Sequence, residues 1–166
     1  ASIAGDRELS AGLFHEVLRR ARTTAEMGDV YYTKVLLDTA SGHAPAAIEM
    51  GRSGLRLFGE SLPRSPGPLR LLLEFGLVRT LLGRRTPPQL YGLPAMGASE
   101  RVASIRLLMS ICPAAYFQNP DLMSFAALRI MRISLKHGNA SPSACGYVPY
   151  GLVTGAVFHD YARGHQ

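Results

Sequence analysis

Apolar residues return every three or four positions along most of this chain, and clusters of Gly, Pro, Ser and Asn break the pattern into helix-length runs. The first run covers about Asp6 to Arg22, with Leu9, Leu13, Phe14, Val17, Leu18 and Ala21 on one face. Thr23 or Thr24 is placed to cap a second helix, which carries Val30, Tyr31, Val35, Leu36 and Thr39 and stops near Gly42. A third follows His43: Ala44, Ala47, Ile48, Gly51, Leu55 and Phe58 form its stripe, Glu49, Arg52, Ser53 and Arg56 its polar side, and Gly59 its end. After a proline-rich turn, Pro68 starts a fourth helix that reaches Gly83 with leucines nearly all round, the pattern of an inner helix buried on two sides.

Arg84 to Gly97, containing Pro87-Pro88 and Pro94, predicts the longest nonhelical connection and a hinge or docking loop over 84–97. A fifth helix spans about Ser99 to Cys112, and Pro113 bends or ends it. Asn119-Pro120 caps a sixth, which carries Leu122, Phe125, Ala126, Ile130 and Ile133 and closes at His137-Gly138-Asn139. Ser141-Pro142 opens a seventh in the same way; Pro149 predicts a kink in it, and Gly146, Gly151 and Gly155 give it a face of small residues that invites close approach. The expected fold is all-α, with about seven helices in one domain over residues 1–166.

Two segments carry a resemblance. The unit from Gly28 to Gly59 resembles a tetratricopeptide repeat, with Tyr31 early in its first helix, Gly42 at the turn, Ala47 in the second helix and Gly59 at the end. It departs from that family at Lys34, Asp38 and Gly51, although small residues at Ala47, Gly51 and Gly54 suit two closely packed helices. The stretch from Ser99 to Gly155, with Pro113-Ala-Ala-Tyr-Phe, Asn119-Pro-Asp-Leu and Ser141-Pro-Ser-Ala-Cys-Gly-Tyr-Val-Pro-Tyr-Gly, is similar to the helical region that follows the STAND-type predicted ATPase domain in large bacterial signalling proteins. Those proteins also carry Ser/Thr-kinase-like and sensor histidine kinase domains. The resemblance implies antiparallel helical hairpins stacked as a tetratricopeptide-like superhelix. It also implies a non-catalytic module of a signal-transduction ATPase or kinase, one that holds protein partners or flanking domains and relays a signal. His159-Asp160-Tyr161 falls where a further repeat would turn, so the face bearing Tyr150, Val153 and Val157 is expected to lack its cover and to promote self-association.

Charge narrows the range of partners. The net charge of +6 comes from sixteen Arg against two Lys, spread from Arg7 to Arg163 rather than concentrated on one element, which argues against a nucleic-acid surface. The longest apolar stretch, Leu69 to Leu82, is broken by Arg70, Glu74 and Arg79 and is too short to span a bilayer. Ala1 in place of an initiator Met, with no signal pattern, suggests an excised or processed chain. Cys112 and Cys145 stand singly, which fits a reduced, cytoplasmic setting.

Catalytic patterns are sparse. His15, His43, His137, His159 and His165 lack metal-ligand spacing, and His137 before Gly138 reads more simply as a favourable charge at a helix C-terminus than as a phosphoacceptor. No phosphate-binding glycine loop occurs, and Ser104, Ser110, Ser134, Ser141 and Ser143 have no nucleophile-elbow context. The chain is therefore expected not to be an enzyme, and to need no metal or other cofactor. The candidate ligand or partner surface is Tyr116, Phe117, Gln118, Asn119, Tyr147 and Tyr150, since tyrosine pairs a rigid ring with a hydroxyl; packing at helix junctions is the competing account of the same residues. Two other functions compete with the interaction module: a small-molecule sensor with a pocket of Tyr116, Tyr147 and Tyr150 beside the glycines of the seventh helix, and a nucleic-acid-binding regulatory domain.

Overall fold

The computed structural model describes the backbone of residues 3–158 and the side chains of 12–86 and 88–151. It is all-α: α1 (Ile3–Arg20), α2 (Thr24–Ala40), α3 (Ala44–Arg56), α4 (Pro68–Leu82), α5 (Pro87–Tyr91), α6 (Ser99–Gln118), α7 (Pro120–His137) and α8 (Ala144–Phe158), the last entered through a 3-10 turn at Ser141–Ser143. Local chemistry explains most of the boundaries. Thr23 accepts the Glu26 N–H while Glu26 accepts the Thr23 N–H, a reciprocal cap that starts α2. Asn119 accepts the Leu122 N–H at the start of α7, and Gly42, Gly59, Gly83 and Gly138 take the positive φ that ends α2, the turn after α3, α4 and α7.

The core is built on α6. It packs against α2 and α3 on one side and α7 on the other, and α2–α3 and α6–α7 are helical hairpins. Within the first hairpin, Gly28 faces Phe58 and Gly54 faces Tyr31, so α2 and α3 run antiparallel. Ala103 lies by Gly28 and Arg106 by Asp29 and Tyr32, so α6 runs parallel to α2. The absence of a side chain at Gly51 and Gly54 is what lets α6 in: a Cβ on Gly51 would lie 2.4 Å from Ile111, and one on Gly54 2.6 Å from Leu107. Val35, Leu55, Ile105, Leu107, Leu108, Ile111 and Ile130 fill the interior.

Several expectations need correction. α6 does not stop at Pro113 but continues to Gln118. Pro113 is exposed, so the carbonyl it leaves unpaired, one turn back at Met109, lies on a side partly open to water. Arg52, expected on the polar side of α3, is buried; its Nε donates to the Leu62 carbonyl at 2.8 Å and its Nη2 to the Pro63 carbonyl at 3.0 Å, with Glu49 neutralising it. The 84–97 connection contains the short helix α5, in which Gln89 accepts the Thr86 N–H at 2.9 Å. It is also stitched to the α7–α8 junction: Asn139 exchanges backbone bonds with Pro94 and Met96, both 2.8 Å, and its side chain donates to the Leu90 carbonyl at 2.7 Å. Ser141 is not a cap: the 3-10 turn that leads into α8 begins after Ala140, whose N–H donates to the Ser143 hydroxyl.

The largest departure is α4. Instead of sitting inside a stack with both sides covered, it packs chiefly on α7 and buries only Glu74 and Val78. Its neighbours across the interface are Met131 and Leu135 of α7, joined by Leu81, Leu82, Leu90, Tyr147 and others in a second, smaller apolar cluster.

Candidate interaction surface

The outer side of α4 is an unusual surface among the described residues. Leu69, Leu72, Leu73 and Leu77 are 69, 65, 60 and 48 % exposed, and Gly76 and Thr80 lie open among them. Helical spacing places all six on one side, opposite Glu74 and Val78. Single exposed leucines need no explanation, but four on one helical face form a contiguous apolar patch.

What holds that face outward is a buried carboxylate. Glu74, with a side chain only 5 % exposed, accepts from Arg129 Nε at 2.8 Å and Nη2 at 3.3 Å. Arg132 Nε also lies 2.8 Å from Glu74 Oε1, an ion-pair contact whose angle does not make a hydrogen bond. Arg129 reaches on through Nη1 to Glu60 Oε2 at 2.8 Å, and Arg101 of α6 joins Glu60 at 3.3 Å. Three arginines and two glutamates thus tie α4, α6, α7 and the 57–67 connection together. A charged side chain in the middle of α4 can be accommodated only where its partners are, so this network fixes which way α4 faces.

Beside the network, an open cleft of about 350 Å³ lies between the 57–67 connection, α4 and α7. Leu62, Pro63, Leu73 and Phe125 give it apolar walls, Glu74 and Arg129 line it, and Arg70 and Ser61 stand at it as further polar groups. Its wall is well fixed, since the Leu62 and Pro63 carbonyls are held by Arg52 and the Arg64 carbonyl accepts from Asn119 Nδ2 at 3.3 Å.

The residues singled out from the sequence divide by place. Tyr116 and Phe117 sit at the C-terminal end of α6, 57 and 85 % exposed, with their rings edge to face at 4.8 Å. Gln118 is exposed beside them, and Asn119 is occupied as the cap of α7. Tyr147 and Tyr150 belong instead to the α4–α7–α8 cluster. The Tyr147 hydroxyl donates to Asn139 Oδ1 at 2.9 Å, and burial pushes its phenol above the ordinary range, opposed by the Arg85 charge. Tyr150 stacks on Phe75 of α4, with centroids 5.4 Å apart. Asn119 and Asn139 flank the two ends of α7, whose 18 residues span roughly 27 Å, so the tyrosines do not form one group. Gly146 is filled by α7, because a Cβ there would lie 2.6 Å from the Met131 nitrogen. Val153, Val157 and the 159–161 turn lie outside the described side chains.

Sequence reading missed Arg70, Arg79 and the leucine face of α4 as surface. The one available signal was Glu74: a lone acid among leucines marks the side of the helix that meets the arginines, not the side that meets water. Among the described residues no group of His, Cys, Asp and Glu is placed to hold a metal ion, and no helix is long and apolar enough to cross a membrane. No family model matches the chain, and no curated protein or solved structure matches it either.

Proposed function

We propose that this chain is a non-catalytic helical interaction module, and that the outer face of α4 is where it binds another protein or a flanking domain. The observation that carries the reading is the exposure of four leucines on one face of a helix whose opposite face is pinned by buried ions. Fully burying a leucine is worth about 1.5–3 kcal/mol, and because these four are already partly covered, a partner closing this face gains about twice that amount before the costs of association. The succession of hairpins α2–α3 and α6–α7, with α6 parallel to α2, supports a tetratricopeptide-like arrangement interrupted by α4 and α5. Placement in a bacterial signal-transduction ATPase or kinase rests on the likeness of residues 99–155 to the helical region of such proteins.

The test is photocrosslinking in cells that express the chain, with a photoreactive residue at Leu73 and, as control, at exposed Arg56. A discrete protein adduct is expected at position 73 only, and it should vanish in a Leu69→Glu variant. Equal labelling at both positions, or no protein adduct at 73, rejects the α4 face as an interaction surface.

A further inference from the structure

We infer that the outer face of α4 takes an amphipathic helix from a different protein, apolar along one side and carrying carboxylates on both edges that meet Arg70 and Arg79. This deepens the proposed function and rests on reading that face as an interaction surface.

The geometry sets the partner's form. Leu69, Leu73, Gly76 and Thr80 follow one another at spacings of four, three and four, the seam against which a second helix lies, while Leu72 and Leu77 border it. Apart from its two chain neighbours and the backbone of α4 itself, Gly76 has no heavy atom within 4 Å of where its Cβ would be, so the middle of the seam is a furrow rather than a ridge. A partner helix can bring its own side chains or backbone close there, whereas a lipid surface gains nothing from such a dip.

Charge sets its chemistry. α4 has three ionisable residues, Arg70, Glu74 and Arg79, and Glu74 is consumed in the interior. The two that remain are exposed arginines with no ion-pair partner among the described residues. They lie nine positions apart on the helix, which is about two and a half turns, so they stand on opposite edges of the leucine seam and about 14 Å apart along it. A second copy of α4 laid on this face would set arginine against arginine or leucine, with no carboxylate on offer. The matching helix instead carries Glu or Asp at positions nine apart, one on each edge of its apolar side. The cleft next to Leu73, walled by Leu62, Pro63 and Phe125, gives one large apolar side chain of that helix an anchoring place near Arg70.

The test uses the full 166-residue chain and labelled helical peptides with one leucine face, followed by fluorescence anisotropy at low salt. One peptide has Glu at two positions nine apart on opposite edges; a second has Lys there. The Glu peptide is expected to bind at least ten-fold tighter, and Arg70→Glu/Arg79→Glu, which removes no ion pair within the described residues, is expected to reverse the order. Leu69→Glu/Leu73→Glu should abolish binding of both while circular dichroism shows the helices intact. Equal affinity of the two peptides would overturn the charge assignment and leave the interaction surface standing. Binding that survives the leucine substitutions would overturn both. Adsorption to phosphatidylglycerol vesicles with no peptide binding would overturn the protein partner in favour of a membrane surface. Concentration-dependent dimerisation lost in Leu73→Glu would replace the partner by a second copy.

Discussion

Replacing Glu74 by Gln removes one negative charge and almost no volume, which isolates the electrostatic part of the α4–α7 contact. In the native chain this carboxylate meets three donor atoms, Arg129 Nε and Nη2 and Arg132 Nε, at 2.8, 3.3 and 2.8 Å. After substitution Arg129 retains Glu60, but Arg132 loses its acid, and the new amide turns an N–H toward one of the guanidiniums. Breaking a buried pair by removing one partner costs about 3–5 kcal/mol, and because Arg132 is 21 % exposed and water relieves part of its charge, the lower figure applies. The expected loss is therefore about 3 kcal/mol, or roughly 6–12 °C in Tm for a domain of this size.

Urea unfolding followed by far-ultraviolet circular dichroism measures this, with the midpoint falling and the slope unchanged. A second variant separates the cost of an orphaned charge from the worth of the network. Glu74→Leu/Arg129→Met/Arg132→Leu removes all three charges and leaves Glu60 with Arg101, so it should be far less damaging than Glu74→Gln alone. A Glu74→Gln loss below about 1 kcal/mol, the range of an exposed pair, would refute the argument that buried ions orient α4.

Three other outcomes follow from the packing and burial of single residues. Gly146→Ala and Gly76→Ala should differ in sign: a Cβ at 146 would meet the Met131 nitrogen at 2.6 Å and the Ala127 carbonyl at 3.0 Å, backbone that cannot step aside, whereas at 76 the space is open. Thermal unfolding should show a loss of about 1–3 kcal/mol for the first and a gain of up to about 1 kcal/mol for the second. Ser104→Ala should stabilise by about 1 kcal/mol in the same assay, because the Ser104 hydroxyl is wholly buried without a hydrogen-bond partner. Burial, assisted by Cys145, pushes the Cys112 thiol from 9.0 up to about 12, so in a Cys145→Ser background it should resist a thiol reagent at pH 8 until the chain is unfolded. Between pH 9.0 and about 12 the unfolded chain loses the Cys112 proton and the folded chain keeps it, so that contribution is complete below 9.0 and falls as pH rises; Cys112→Ala should flatten the alkaline decline.

The helices themselves were legible because local chemistry places most of their ends. Thr23 with Glu26, Asn119 before Pro120 and the glycines at 42, 59, 83 and 138 act within a few residues of themselves, and the seven runs they separate all appear. Pro113 and the 84–97 segment were harder, because their conformations depend on distant groups. A proline is tolerated inside α6 when the side it interrupts is open, and Pro87–Tyr91 becomes helical within a strap held by Asn139, which is about 50 residues away. Neither condition can be read from spacing. The tyrosine set failed to converge for a similar reason: Tyr116 and Tyr147 are both near helix ends in the sequence, but those ends lie at opposite ends of α7 once the helices alternate in direction.

The case of α4 shows where periodicity runs out. A helix with leucines all round offers no apolar face that differs from the others, so hydrophobicity alone does not choose its orientation and full burial is the natural inference. The choice passes to the least hydrophobic residues. Glu74 can reach Arg129 and Arg132 only by turning one side of α4 toward α7, and the same rotation carries Arg70 and Arg79 to the edges and Leu69, Leu72, Leu73 and Leu77 into the open. One buried acid thereby decides which apolar surface the protein presents. Any substitution that frees Glu74 should blur the leucine face as well as lower stability, so Glu74→Gln is expected to weaken binding of the Glu-edged peptide even at temperatures where the chain remains folded. Full-strength binding by a destabilised but folded Glu74→Gln would show that the leucine face is held by packing against Val78, Met131 and Leu135 and not by the ions.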